Sequence, residues 1–375
     1  MRDARPLVRV LADPAAAALV EDWTSLIALA RAESLAGALA WRLDGVALPA
    51  AVETLLEAAR RDGEAARVQA LWEAEMARRA LAPLAIPLIL LKGTAYVAAG
   101  LDAGRGRSIG DLDILVPREA LPDAERALLA AGWEWVKEDG YDDLYYRRWM
   151  HELPPLIHRE RDRMIDVHHA ILPPTARPKP DMAAMIEARA PLADGLFSLS
   201  PPDMIVHAAA HLFADGDLAG GLRNLWDIDR LLREFGGRDM DFWPALRARA
   251  ALHGLVPAVA RAVRLAARLY ATPVNWCQAP FSKVLINKGA AFGKIGDGQR
   301  SYAADALYLR RLLARDGWAR PRRPLVRLGF YVRSHWLRMP PLMLARHLWV
   351  KARRRQGAGA MPSPGFQPSS SKGGL

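Results

Sequence analysis

A change of texture at Ile86 constrains this chain more than any other feature. From about Pro14 to Leu81, apolar residues recur at three- and four-residue steps, the period of amphipathic helices: Leu26, Leu29, Ala30, Leu35 and Leu39, then Val52, Leu55, Leu56 and Ala59. LDGVALPA, Leu43 to Ala50, punctuates that run as a turn carrying Gly45 and Pro49. IPLILL, Ile86 to Leu91, then abandons the helical period for a short, continuous apolar run that fits a buried strand. DLDILV, Asp111 to Val116, alternates as a second strand and stops at Pro117, and REALPDAERALLAAG makes a helix closed by Gly132. WEWVKED, DLYYRRW, ELPPLIHR and MIDVHHA read as further strands. This alternation of strands and helices, followed by a run of strands, predicts an α/β or α+β catalytic domain, a mixed sheet with helices on one side.

Helical regions flank that sheet. The boundaries fall as an N-terminal helical region over 1–80, a sheet core over 81–172, a helical domain over 173–318, a basic amphipathic segment over 319–355 and a disordered, low-complexity tail over 356–375. PPTARPKP, Pro173 to Pro180, is a proline-rich linker into the helical domain, where MIVHAAAHLFA and LRNLWDIDRLLREFG carry the helical pattern. The net charge of +11 suggests nucleic acid until it is located. Between Leu309 and Arg355, fourteen Arg and Lys stand against Asp316 alone, so the basicity belongs to the C-terminal segment and the remainder is slightly acidic. That segment mixes its arginines with Phe330, Tyr331, Trp336 and Trp349, a pattern for anionic membrane or nucleic acid, or for a helix packed on the core with a solvated basic rim. One cysteine, Cys277, excludes an internal disulfide framework. The N-terminal residues show no signal-peptide pattern and no apolar run is long enough for a membrane span, so the expected location is cytoplasmic, with the basic segment as a peripheral membrane contact.

Asp111 and Asp113 lie two apart on a strand, so both carboxylates leave one face. Held that close they repel, and a divalent cation such as Mg²⁺, which takes hard oxygen ligands, resolves the conflict. Asp166, on another strand in MIDVHHA, is the natural third ligand if the strands are neighbours. Upstream, Lys92-Gly93-Thr94 follows the buried strand and opens a helix, where free N–H groups favour an anion, Gly93 admits close backbone approach and Thr94 adds a hydroxyl. Lys92 adds a point charge or caps the sheet edge. Arg105 and Arg107, in the loop before the acidic pair, are either phosphate clamps or solvated loop arginines.

The histidines invite a zinc reading. His207 and His211 are four apart on a helix, but no glutamate of a zinc-protease motif lies between them, and the core explains them better. His168 and His169 face opposite ways and are likewise read first as core or domain-interface histidines; His168, which shares a face with Asp166, is alternatively a bracing group for it or for metal-bound water. Arg223, Asp227 and Asp229 begin an amphipathic helix, and a structural salt bridge is the favoured role for them.

Taken together, LLKGTAY, RSIGDLDILV and IDVHHA resemble the signature of the nucleotidyltransferase superfamily of the DNA polymerase β type, and more narrowly its uncharacterised bacterial nucleotidyltransferase-like proteins. The likeness runs from about Leu81 to Arg233 and continues through PPDMIVHAAAHLF and LRNLWDIDRLL. It implies metal-dependent transfer of a nucleotidyl group, with Asp111, Asp113 and Asp166 as catalytic metal ligands for Mg²⁺. It also implies a nucleoside triphosphate, ATP foremost, held at Lys92, Gly93, Thr94 and Arg107, and it leaves the acceptor open. Threonine stands where the superfamily prefers serine, and the hydroxyl survives. The alternative is a catalytically silent nucleotidyltransferase-derived scaffold that binds partners or membrane through its basic segment.

Overall fold

A computed structural model describes residues 3–137, 146–274 and 297–338. Cys277, Trp349, the end of the basic segment and the tail over 356–375 lie outside them. The N-terminal helices are α1 (Arg5–Ala12), α2 (Trp23–Ala32), α3 (Ala36–Arg42) and the long α4 (Ala50–Leu81). Asp22 caps α2 by accepting the Ser25 N–H, satisfying one donor that a helix start leaves bare. Apolar stripes of these helices, Leu7, Leu11, Leu26, Leu29, Leu39 and Leu56 among them, bury completely or nearly so into one core shared with the sheet.

The sheet uses β1 (Ile89–Leu90), β2 (Asp111–Leu115), β3 (Trp133–Trp135), β4 (Leu156–His158) and β5 (Met164–His168), interleaved with α5 (Lys92–Ala98) and α6 (Leu121–Ala130). Two short strands, β6 (Ala190–Pro191) and β7 (Phe197–Ser198), complete it, after α7 (Met182–Glu187). The strand order is β3-β4-β5-β2-β1-β7-β6, a mixed sheet, as the sequence predicts. β2 runs parallel to β5 and antiparallel to β1, and β1 runs parallel to β7. The sheet therefore takes in strands from beyond the proline-rich segment. β6 and β7, two residues each, are too short for their sequence to show a period.

Two strand expectations need correction. DLYYRRW is helical where it is described, over 146–149, with Met150 N–H donating to Tyr146 C=O at 3.0 Å. Its aromatic-rich pattern mimics a strand, but Arg147 reaches back to Glu125 on α6 at 2.8 Å, a tertiary contact that outweighs local preference. ELPPLIHR is interrupted. Pro154 and Pro155 have no N–H to give a ladder, so Glu152 makes an isolated bridge to His168 and regular pairing resumes at Leu156.

Beyond the sheet, α8 (Pro201–Ala210), α9 (Gly221–Arg238), α10 (Phe242–Leu252) and α11 (Val256–Tyr270) pack together, followed by α12 (Asp297–Leu312) and α13 (Pro324–Arg338). Ser200 caps α8 and Pro201 opens it. Arg249 of α10 donates to fully buried Asp203 of α8 at 2.6 Å. Asp229 holds Arg233 at 2.9 Å and the Thr272 hydroxyl at 2.5 Å, so this part of α9 is structural.

One backbone contact joins the N-terminal helices to the loop before β2. Gly106 has φ +63°, and a Cβ there would stand 2.3 Å from the backbone of Gly37 in α3. A Cβ on Gly63 of α4 would come within 2.9 Å of Gly106 Cα. Gly45, by contrast, has φ +73° with open space around it. Gly45→Ala should therefore cost roughly 1 kcal/mol from conformation alone, and Gly106→Ala roughly 2 kcal/mol or more from conformation plus collision. Urea unfolding of both variants tests this, and equal losses would show that the close approach is immaterial.

Candidate active site

The pairing of β2 with β5 sets Asp113 directly beside Asp166. Asp111 sits two residues earlier on the same face, so the three carboxylates converge, with oxygens all within 4.8 Å of one another. Asp111 is exposed, Asp166 half-buried and Asp113 buried. Apolar neighbours in β2, Leu112 and Ile114, point to the opposite face and into the core, which fixes the register.

A buried carboxylate needs partners, and Asp113 has two on one oxygen. Lys92 Nζ stands 2.6 Å from Oδ1, and His168 Nε2 stands 2.9 Å from it. Lys92 is delivered by the β1–α5 junction, where Leu91 N–H donates to Asp113 C=O at 3.0 Å. There Lys92 adopts φ +46°, a left-handed conformation that costs a non-glycine residue on the order of 1 kcal/mol and clusters at functional sites.

The electrostatics divide the carboxylates. Burial would raise the Asp113 carboxyl, but the Lys92 ammonium and the His168 hydrogen bond outweigh it and hold the group far below the usual range. Burial likewise opposes the Lys92 charge, yet the Asp113 carboxylate wins and Lys92 rises. Asp166 is pushed up to about 7, first by burial and then by the charges of Asp113 and Glu152. Asp111 is raised by burial and by Asp113, with Lys92 offsetting part of the effect. Lys92 thus serves Asp113, while the other two carboxyls remain short of positive charge. An all-oxygen donor set with uncompensated negative charge fits a hard divalent cation.

The turn is more covered than its sequence suggests. Gly93 and Thr94 are buried, and Arg107 lies over Gly93, its Nε 2.3 Å from where a Cβ would stand. Arg107 is held by an ion pair with Asp227 on α9 and faces the Tyr96 ring at 5.4 Å. Arg223 pairs with Asp227 at 3.0 Å and donates to Ser34 C=O at 2.8 Å, the salt bridge favoured from sequence. Arg107 Nε and Arg223 Nη2 are buried without partners. Arg105 instead pairs with Asp102 at 3.0 Å on an exposed loop.

The structure therefore brings Asp111, Asp113, Asp166 and Lys92 together, with Gly93 and Thr94 adjoining and Arg107 braced above the turn. His168 braces Asp113, not the Asp166 with which it shares a strand. His207 is a buried core residue on α8, its pKa driven well down by burial and by the Lys92 charge. Sequence reasoning missed His151 and Glu152, whose approach to His168 depends on the interrupted pairing before β4.

Residues 20–271 match the model of a family described as an uncharacterised nucleotidyltransferase. No curated protein matches the chain.

Asp166 gives this site a signature in pH. Its folded-state pKa of about 7 lies above its ordinary value of 3.8, so between them the folded protein binds more protons than the unfolded chain. The stability that proton contributes is fully present below the lower value and lost as pH rises through the upper one. Asp166→Asn should then gain on the unmodified protein as metal-free samples go from about pH 5 to about pH 8, and added divalent cation should shrink the difference. Urea unfolding at both pH values measures this, and a constant difference would show that Asp166 is not raised in the folded protein.

Proposed function

The chain belongs to the uncharacterised nucleotidyltransferase family, and we propose that it transfers a nucleoside monophosphate from a nucleoside triphosphate, ATP foremost, to an acceptor. The convergence of Asp111, Asp113 and Asp166 on one face of adjacent strands carries this reading. A scaffold has no use for three carboxylates that raise one another's cost of ionisation. The acceptor is a small molecule, a protein hydroxyl or an RNA end.

In this proposal Asp111, Asp113 and Asp166 hold Mg²⁺, which when bound neutralises phosphate charge and polarises the phosphorus centre. Lys92 and His168 fix the Asp113 carboxylate so that it need not reorganise during the reaction. Gly93 and Thr94 at the start of α5 receive the triphosphate, and Arg107 supplies a guanidinium beside them. Asp166 orients the acceptor or takes its proton, the acceptor oxygen attacks the α-phosphorus in line, and pyrophosphate leaves.

A partner for the basic segment is proposed with it. On α13, Leu325, Leu328, Val332 and Trp336 form an exposed apolar stripe opposite buried Phe330 and Ser334. With exposed Arg327 on the same helix and the arginine-rich sequence of the segment, that stripe suits the surface of an anionic bilayer for a cytoplasmic protein. Among the described residues no helix is long and apolar enough to cross a membrane.

Two experiments follow. Calorimetry with ATP, GTP, CTP and UTP should show triphosphate binding strengthened about tenfold or more by Mg²⁺, and Asp111→Asn with Asp113→Asn should abolish that gain. Metal-independent binding that the double variant retains would end the catalytic reading. In flotation assays the full chain should rise with phosphatidylglycerol vesicles and stay down with phosphatidylcholine, and Leu328→Glu with Trp336→Ala should abolish flotation. Flotation unchanged by that pair, or capture by nucleic acid alone, would refute the bilayer contact.

A further inference from the structure

Beside the acidic triad lies a second group of metal-ligating side chains, His151, Glu152 and His168, again with donor atoms all within 4.8 Å of one another. Chain pairing assembles it. Glu152 bridges His168 across the sheet, and His169 N–H donates to His151 C=O at 2.9 Å, so the segment before Pro154 is laid along the end of β5. His168 commits its Nε2 to Asp113, which turns its Nδ1 toward Glu152 Oε2 at 3.4 Å. His151 Nε2 is 3.9 Å from the same oxygen, and the two imidazoles stand 5.4 Å apart between centroids. His151 is 7% exposed, and its Nδ1 is buried without a partner. Hydrogen bonding at Nδ1 therefore does not explain an imidazole at this position.

We propose that His151, Glu152 and His168 form a second cation site, for Zn²⁺ or a similar first-row divalent ion, distinct from the all-oxygen triad. Two imidazoles and one carboxylate are a donor set that zinc accepts, with a fourth position left over. Ligands about 2.1 Å from a tetrahedral ion lie about 3.4 Å from each other, so His168 and Glu152 already have the required separation, and His151, 3.9 Å from Glu152, has to move inward to join them. The Asp113–His168 hydrogen bond then becomes the carboxylate support that fixes the tautomer and orientation of a metal-bound imidazole. Asp113 would then belong to the triad directly and support this site through His168. The proposal stands whether or not the protein transfers nucleotides.

The test uses the full chain, stripped of metal by chelator and titrated with Co²⁺ and Zn²⁺. One equivalent of Co²⁺ should bind with visible absorption bands of a site containing nitrogen ligands, and Zn²⁺ should displace it. The Asp111→Asn, Asp166→Asn double variant should keep that equivalent. His151→Ala and Glu152→Gln should weaken it roughly tenfold or more. Because these variants disturb a buried cluster, Zn²⁺ is also added to unmodified protein labelled with ¹⁵N-histidine, where the ring nitrogens of His151 and His168 should shift. No retained equivalent, binding lost in the double aspartate variant but kept in His151→Ala, or unmoved ring nitrogens would each overturn the site.

Discussion

The buried charge of Asp113 is what the surrounding structure is organised to tolerate. Isolated in the core it would be protonated or would destabilise the fold by several kcal/mol. Lys92 from the β1–α5 junction and His168 from β5 both reach the same oxygen, so three separate pieces of chain must be in register for the carboxylate to stay charged. The left-handed backbone at Lys92 is the strain that this arrangement accepts. Neutralising Asp113 in this way leaves Asp111 and Asp166 as the groups with unmet demand for positive charge, and it is there that a cation would have the largest effect.

Much of this was legible in the residues. The switch from helical to strand texture at Ile86, the two-residue spacing of Asp111 and Asp113, and the stop at Pro117 are local signals, and local signals are what one sequence transmits well. The apposition of Asp113 and Asp166 was readable only as a condition, that their strands be neighbours, and the family resemblance strengthened it. What could not be read were facts of pairing between distant segments. Arg107 lies 120 positions from Asp227, and nothing near either residue announces the other. The Lys92–Asp113 contact is similar: each was singled out, but for phosphate and for metal separately. DLYYRRW misled because aromatic residues favour strands on average, whereas Arg147 answers to Glu125.

The flanking helices act on the site through a few rigid contacts. α9 presents Asp227, which holds Arg107 over the turn, while α3 and α4 press on the loop at Gly106 through bare backbone. Arg107 is therefore set from both sides, by a charge on one and by the absence of side chains on the other. Whatever ligand reaches the turn meets a guanidinium whose position two helical regions have already fixed.

The sheet's connectivity also bears on how the protein is made. β1 is hydrogen-bonded on one side to β2, close behind it in the chain, and on the other to β7, which lies beyond the proline-rich stretch. Until Phe197 and Ser198 have left the ribosome, the strand that delivers Lys92 is an uncovered edge with unpaired N–H and C=O groups. For that interval the nascent chain exposes an apolar strand able to recruit a foreign one.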